Sequence, residues 1–502
     1  GKRFFLQSEV DEFSKHKTKL DDYLNRGDLT FYKLTVDKLY DRTAEIEKYS
    51  QEILSKPINF EENDELILEP KLKKYPQNQE ELKNEWKKFI KYNILQEIET
   101  LNAKEETQRE KKDSVNRLKL KDTIKLEILT PAQKQVKATE EVKDLMTSMF
   151  KRFQKRKKMD WFSVYMNAYT EVFDPHTNYF SPQDKEDFDV NFVGKVIGIG
   201  ATIQESKGKI KIGTLVVGAP AWKSKQISEG DEILKVQSKK GEEPINVTGM
   251  LVDEAVRFIR GEKGTEVVLT LKKKDGTIKE VKMIREEVAI EDTFARSIII
   301  NGANGKKYGF INLPSFNADF EDAKGRNASD DIKAELIKLK AQNVEGIILD
   351  LRNNGGGSLT EVVDIMGLFM NNGPVVQVKD GNGRVQVMRN KQNDPIWTGP
   401  LVIMQNELSA SASEILAGAL KEHGIAKLVG EKTFGKGSVQ ELVKITDDTS
   451  LKVTVAKWLT PNGLSISEKG LEPDVEVKMT ADDYKDGKDP QIDKAVEILL
   501  KK

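Results

Sequence analysis

Three short stretches in the C-terminal half hold residues whose types and order suit acyl-transfer chemistry. NELSASASEILAGAL (406–420) alternates serines with small residues between an apolar run and a helical pattern. A serine there stands at the mouth of a helix, where the dipole and free amides favour developing negative charge. Its plainer reading is an N-cap. NNGGG (353–357) puts three glycines in a row, which costs backbone entropy and implies close approach or positive φ. Such a loop can bind phosphate, supply N–H donors to an oxyanion, or simply turn the chain. VGEKTFGKGSVQ (429–440) sets Lys436 between Gly435 and Gly437. From Gly430 its order is close to a phosphate-cradling loop, but that loop needs a Ser or Thr after the lysine, to hold magnesium, and a helix beyond it. Here Gly437 follows, and Ser438, Val439, Gln440, Leu442 and Val443 read as a strand. Nucleotide binding is the weakest of these readings.

A serine nucleophile needs a base. Of the three histidines, His423 lies on the serine's own helix, His176 in a distant turn, and His16 near the start of the chain. The alternative is a lysine made neutral by burial, as in Ser-Lys hydrolases. Lys436 fits, because its flanking glycines free the backbone to approach the serine loop and Val429 and Phe434 are apolar neighbours able to dry the amine. The absence of cysteine excludes thiolate nucleophiles, Cys-based zinc sites and disulfides. Three scattered histidines make no metal site, so no metal and no cofactor are expected.

The 502 residues suffice for about three domains. Their 81 basic and 82 acidic residues nearly cancel, so no global field favours nucleic acid or an anionic membrane. The run KRFQKRKK (151–158) reads as a solvated helix face. No apolar run approaches the ~18–20 residues of a membrane span, and no signal peptide begins the chain. The opening Gly1-Lys2-Arg3 is expected to be that of a mature or trimmed chain.

The elements that must position these residues follow from periodicity. Residues 1–165 carry Lys, Glu, Asp, Leu and Ile at helical spacing, with Leu24, Phe31, Leu34 and Leu39 among the apolar repeats and one-sided apolar positions from Trp86 to Leu120. A turn-rich connector, with FDPHTNYFSP (173–182) at its centre, occupies 166–190. From 191 to 290 the pattern is β-rich: IGIGATI (197–203) as a strand after a Gly turn, two strands around a short helix in 209–237, an amphipathic helix in LVDEAVRFIRG (251–261), and a hairpin turning at Asp275-Gly276. From 291 to 502 strands and helices alternate, an α/β layer pattern.

The 191–290 segment resembles a PDZ domain of the bacterial, protease-associated type, through its Gly198-Ile199-Gly200 loop, GAPA, EGDEIL and the helix from Leu251. That resemblance implies that the loop amides receive a peptide's C-terminal carboxylate and that the peptide adds as a strand beside Ile199–Ile203. Leu251 and Ala255 would flank the last side chain. The combination of DLRNNGGG, SASASE and TFGKGSVQ resembles the carboxyl-terminal processing (tail-specific) serine proteases, and the helical opening (KRFFLQSEVDEF, LDDYLNRGDL) resembles the long branch of that family. The resemblance implies Ser411 as nucleophile, Lys436 as base, Gln440 as the lysine-orienting residue, and the amides of Gly357 and Ala412 as oxyanion donors. Ser409 and Ser413 are the other candidate nucleophiles. The implied fold is multidomain α+β: a helical N-terminal domain, a PDZ domain, and an α/β core of the crotonase/ClpP-like kind. The end beyond GLEPDVEV (470–477) and the VGEKTFGKGSVQ stretch are closer to the short branch, so the chain mixes features.

The expected function is a serine endopeptidase for proteins with nonpolar C-terminal tails, in the periplasm or otherwise exported, with room for an adaptor protein and no nucleic-acid partner. A catalytically silent PDZ scaffold and an acyl-thioester enzyme on a related core are the alternatives.

Overall fold

The computed structural model describes residues 2–117, 128–206, 208–302, 305–319 and 325–501. Two bodies result: Gly1–Tyr165 with the short segments Gln204–Ile210 and Thr248–Ala255, and the remainder of the chain.

The first body is helical, with α1 (Gln7–Ser14), α2 (Leu20–Arg26), α3 (Thr30–Leu54), α4 (Gln79–Arg117), α5 (Pro131–Lys155) and the beginning of α6 (Lys158–Phe173). Its core is made by every fourth residue of two long helices: Leu82, Trp86, Ile90 and Ile94 on α4 face Ala138, Val142, Met146 and Phe150 on α5. Residues four apart lie on one helical face, which is why such charged sequences still bury a stripe. On α3 the buried positions are Tyr32, Val36, Thr43, Ile46 and Ser50, so the apolar repeat read from Leu24, Phe31, Leu34 and Leu39 is corrected. Leu24 is exposed and the other three are half-buried, because the buried stripe includes a Thr and a Ser that an apolar count passes over. Part of the Trp86–Leu120 stretch, Leu118 to Leu120, lies outside the described residues.

In the second body the expected turn-rich connector is mostly regular structure. Helix α6 runs to Phe173, Asn178–Phe180 form β1, and Ser181 caps α7 (Pro182–Val193). Beyond it come β2 (Lys195–Gly198) and β3 (Ala201–Ser206), the second being the strand expected after the Gly turn of 197–203. The break falls at Gly200, whose φ of 69° is one that glycine adopts without strain. The β-rich module continues with β4 (Lys209–Leu215), α8 (Pro220–Lys223), β5 (Glu232–Gln237), β6 (Ile245–Asn246), α9 (Val252–Ile259), β7 (Glu266–Lys272), β8 (Ile278–Ile284) and β9 (Glu286–Ala289). Its sheet has the order β3-β4-β5-β7-β8, with β6 on β5, leaving β3 at an edge. Strands β2 and β9 pair with each other instead, joining the module's entry and exit.

The remaining elements are β10 (Arg296–Asn301), β11 (Lys307–Asn312), α10 (Ala328–Ala341), β12 (Gly346–Asp350), α11 (Leu359–Gly367), β13 (Gly373–Asp380), β14 (Val385–Asn390), β15 (Leu401–Gln405), α12 (Ala412–Glu422), β16 (Ala426–Gly430), β17 (Ser438–Lys444), β18 (Ser450–Leu459), β19 (Val475–Glu476), α13 (Ala481–Asp486) and α14 (Pro490–Leu500). They build two sheets. One, ordered β10-β11-β12-β15-β16-β19, is parallel from β11 onward. Strands β12 and β15 are buried at every position, the mark of parallel strands covered on both faces. Ile347, Leu349, Leu401 and Ile403 pack on the side of α10, α11 and α12, while Ile348, Val402 and Met404 join Ala495 and Leu499 of α14. The second sheet, β1-β18-β13-β14 with β17 on β18, is antiparallel.

Trp86, 2% exposed, and Leu24, 47% exposed, separate the two accounts of the helical face. Trp86→Ala is expected to destabilise the helical body by about 3–5 kcal/mol and Leu24→Ala by less than about 0.5 kcal/mol, read as shifts of a circular-dichroism melt.

Candidate active site

Adjacent parallel strands β12, β15 and β16 deliver the three sequence motifs to one end of the sheet, where sites form in α/β folds. The loop after β12 is 351–358, the loop after β15 is 406–411, and the loop after β16 carries Lys436 on its way to β17.

The asparagines of NNGGG brace the first loop against the second. Asn353 and Asn406 exchange two bonds of 2.9 Å, from Asn353 N to Asn406 Oδ1 and from Asn406 Nδ2 to Asn353 Oδ1. Buried Asn354 donates to Leu313 O and accepts from Gly356 N at 2.9 Å, while its carbonyl takes Ala410 N at 3.0 Å. Gly356, at φ 107°, packs so closely that a Cβ there would lie 2.9 Å from Ser411 Cβ. Gly357, at φ 145°, pairs with Phe316 and has no room for a side chain. Close approach and positive φ explain Gly356 and Gly357, whereas a Cβ at Gly355 would meet nothing within 4 Å.

Ser411 stands at the N-terminus of α12 with φ 55° and ψ −115°, a conformation that costs a non-glycine residue on the order of 1–3 kcal/mol. An ordinary N-cap is extended; this serine is held otherwise. Its neighbours Ser409 and Ser413 are both 1% exposed. Ser409 Oγ donates to Leu351 O at 2.8 Å and accepts from Asn406 N at 2.9 Å, and Ser413 Oγ donates to Asn354 O at 2.9 Å. Those two hydroxyls fasten loops, whereas Ser411 faces a cavity.

Lys436 reaches the same cavity by a route that differs from expectation. Its flanking glycines pack on the segment Ser467–Gly470: a Cβ on Gly435 would meet Gly470 N at 2.8 Å, and one on Gly437 would meet Ser467 Cβ at 2.7 Å. Phe434 is exposed and Val429 lies in the core across the sheet, so neither dries the amine. Phe434 N donates to Ser409 O at 3.1 Å, and a second tie to the serine loop is the buried carboxylate of Glu414. Its Oε2 accepts Ser411 N at 2.8 Å and Lys436 N at 2.9 Å, and its Oε1 accepts Gly435 N at 2.7 Å and Thr433 Oγ1 at 2.5 Å. Burial lowers the Lys436 pKa, outweighing the nearby negative charges of Asp174 and Glu414, which favour the ammonium.

Five expected site residues, Ser411, Ala412, Gly357, Lys436 and Gln440, line one cavity of about 1250 Å³. Among the described residues the N–H groups of Gly357 and Ala412 donate to no partner. The cavity also runs past Phe188 and Phe192 of α7 and Arg260 just after α9, which is paired with Glu186 and Asp187. The Gly198-Ile199-Gly200 loop lies outside it. There the N–H groups of Ile199 and Gly200 have no hydrogen-bond partner among the described residues. Leu251 is half-buried just before α9, and Ala255 is fully buried within it.

Several residues escaped the sequence reading. Glu414 was in plain view three places after Ser411. His176, dismissed as distant, is close enough to Lys436 that burial and the lysine's charge together lower its pKa. Asp174 and Thr454 are hydrogen-bonded at 2.8 Å although 280 residues apart. Lys452, on β18, is half-buried in the same cavity, and burial followed by the charge of Lys436 lowers its pKa. No local pattern marks these partners, because strand pairing of β1 and β17 with β18 brings them together.

Residues 307–477 match the model of Peptidase family S41, and residues 1–183 match that of the tail specific protease N-terminal domain. The chain is 32% identical to the tail-specific protease of Haemophilus influenzae over 501 residues, 97% of this chain and 66% of that protein. It is 34% identical to the carboxy-terminal processing protease CtpA of Bacillus subtilis over 307 residues, 61% of each. Among solved structures it is similar to the photosystem II D1 C-terminal processing protease, at 26% identity and a TM-score of 0.37 over 66% of this chain and 86% of that one. It is also similar to the PDZ domain of the carboxy-terminal protease from Vibrio cholerae in complex with peptide, at 36% identity and a TM-score of 0.18 over 19% of this chain and 97% of that one. The matched models put the chain in the S41 class of peptidases. It belongs to the carboxyl-terminal processing, tail-specific protease family. The chain spans 66% and 61% of the lengths of these two curated relatives.

The hydrogen bonds separate the serines by stability alone. Ser409→Ala and Ser413→Ala are each expected to cost about 1 kcal/mol in a denaturant titration, since each removes buried hydrogen bonding that fastens a loop. Ser411→Ala should change stability by less than about 0.5 kcal/mol. Glu414→Gln sets an NH₂ against N–H donors and should cost at least about 2 kcal/mol.

Proposed function

We propose that the chain is a serine endopeptidase working through a Ser411–Lys436 dyad on proteins recognised by nonpolar C-terminal tails. The observation that carries the reading is the meeting of a strained, cavity-facing serine at a helix N-terminus with a lysine whose ammonium is disfavoured by burial, both backbones hung on one carboxylate. In the reaction, Ser411 Oγ bonds to the scissile carbonyl carbon while neutral Lys436 Nζ takes its proton. The amides of Gly357 and Ala412 hold the resulting oxyanion at the positive end of α12. The C–N bond then breaks, the lysine returns the proton to the leaving amine, and water releases the acyl group by the reverse path. Gln440 orients the lysine.

We read residues 1–165 as the N-terminal helical domain, 166–190 as the link to the protease core, 191–290 as a PDZ domain, and 291–502 as the core, of the crotonase/ClpP-like kind. The free amides of Ile199 and Gly200 and the open edge of β3 support carboxylate capture and strand addition there. An exported, periplasmic setting belongs to the same reading.

Lysine is the base only when neutral, so activity should rise with pH, with a midpoint below the ~10.4 of an ordinary lysine. Ser411→Ala and Lys436→Arg should both be inactive against an unstructured protein, the latter because a guanidinium keeps its proton. A depressed lysine pKa means that the unfolded chain binds more protons, so this group costs stability at neutral pH and the cost fades as pH rises toward the unfolded value. Lys436→Met is therefore expected to be inactive yet no less stable than the parent. An active Lys436→Arg enzyme would overturn the dyad.

Tail recognition is tested with matched substrates ending in Ala-Ala, Asp-Asp or an amidated terminus. The first should be cut fastest, by roughly tenfold to a hundredfold at limiting concentration, since the others bury an unpaired charge or lose the carboxylate contact. Equal rates would remove the PDZ from recognition.

A further inference from the structure

The side-chain amide of Gln440 has both hydrogens committed. Its Nε2 donates to Ser438 Oγ at 2.8 Å and to Thr454 Oγ1 at 3.1 Å. Gln440 and Thr454 face each other across the β17–β18 pair. Thr454 Oγ1 in turn lies 2.8 Å from Asp174 Oδ1. A threonine hydroxyl carries one hydrogen, and an ionised carboxylate only accepts. The Thr454 proton therefore points at Asp174, and its lone pairs face Gln440. A flipped amide would set a carbonyl against a hydroxyl with no hydrogen to give. The chain of bonds runs one way, from Gln440 through Thr454 to Asp174, and leaves Gln440 Oε1 with no hydrogen bond among the described residues; Gln440 lines the cavity shared with Ser411 and Lys436.

The terminus of this chain is well anchored. Asp174 Oδ1 also accepts His176 N at 2.8 Å and Thr177 Oγ1 at 3.4 Å, and Thr177 Oγ1 accepts Thr454 N at 3.2 Å. Burial pushes the Asp174 carboxyl up, but the bonds from Thr454 and His176 N outweigh it, and its pKa is lowered.

We propose that Asp174, acting through Thr454, is a positioning residue that fixes which way the Gln440 amide points and thereby aims the lone pair of Lys436. The proposal rests on the reading of Ser411 and Lys436 as nucleophile and base. A neutral amine has two hydrogens and one lone pair. A carbonyl held on one side takes a hydrogen and turns the lone pair toward the serine. The opposite amide orientation would offer N–H to the lone pair itself and occupy the base. Among the described residues, ionisable groups that couple electrostatically to Lys436 are Asp174 and His176 from the turn before β1, Glu414 from α12, and Lys452 from β18. Removing the charge of Asp174 takes away one of the two anions that favour the lysine ammonium.

The test is steady-state cleavage of an unstructured peptide across pH, using the full chain and its Thr454→Val, Thr454→Ser and Asp174→Asn variants, with melting curves to verify folding. Thr454→Val should lower kcat roughly tenfold to a hundredfold with KM within about twofold of the parent, a split expected for an interaction used only in the transition state. Thr454→Ser, which restores the hydroxyl, should recover most of the loss. Asp174→Asn should move the midpoint of the rising pH profile to lower pH. Parental kcat in Thr454→Val, no recovery in Thr454→Ser, or an unmoved midpoint in Asp174→Asn would each overturn the proposal. Ser411→Ala and Lys436→Arg run alongside: if both are dead while Thr454→Val is parental, only the positioning chain fails. If either is active, the dyad itself fails.

Discussion

One buried carboxylate holds the candidate site together. Glu414 accepts four hydrogen bonds, two of them from the backbone amides of Ser411 and Lys436. A buried carboxylate must be paired or hydrogen-bonded to be tolerated. Here its partners are the backbones of two loops, which a bond from Phe434 N to Ser409 O at 3.1 Å also joins. Bonds from Ser411 N, Gly435 N and Lys436 N to its two oxygens register the serine turn against the lysine turn. The strained dihedrals of Ser411 and the constricted glycines around Lys436 persist because that anchor, the asparagine braces of the 353–357 loop and the Ser409 and Ser413 bonds leave the backbone no looser arrangement.

The same arrangement explains how opposing electrostatic demands are met. The lysine proposed as general base needs to be deprived of its proton, yet the carboxyls of Glu414 and Asp174 nearby favour its ammonium. Both carboxyls spend their acceptor capacity on neutral donors: Glu414 on backbone amides and a threonine, Asp174 on a threonine and a turn amide. Neither forms an ion pair with Lys436 among the described residues. Burial then prevails over their field. The carboxylates organise the backbone, and among the described residues the Lys436 amine is left without an ion-pair partner, as the proposed role of base requires.

Much of the architecture was legible as pattern. The parallel strands GIILD and LVIMQ announce themselves as uninterrupted apolar runs between turn signals, and they are buried throughout. The hairpin at Asp275-Gly276 forms as read, with Gly276 at φ 87°. The candidate site was legible through glycines and small residues, which reveal where backbone must pass close to backbone. What failed was reasoning by nearness in sequence. Phe434 is next door to Lys436 in the chain and faces solvent, while Asp174, more than 260 positions earlier, is an electrostatic neighbour. The helical body misled in a different way, because its buried face is completed by Thr43 and Ser50, which no hydrophobic count would select.

The sequence by itself determined the residue types available for chemistry: no cysteine, three histidines, and a serine and a lysine in small-residue loops at the ends of buried strands. These follow from local rules, since periodicity, caps and glycine tolerance act over a few residues. Only the tertiary structure decided which serine faces the cavity, which carboxylate joins the two loops, and that a turn before β1 closes on β18 beside the lysine. Those outcomes depend on the order of strands in two sheets and on the direction of individual hydrogen bonds. Loop closure brings residues hundreds of positions apart within 3 Å at little more entropic cost than closing a short loop, so distance along the chain carries almost no information about them.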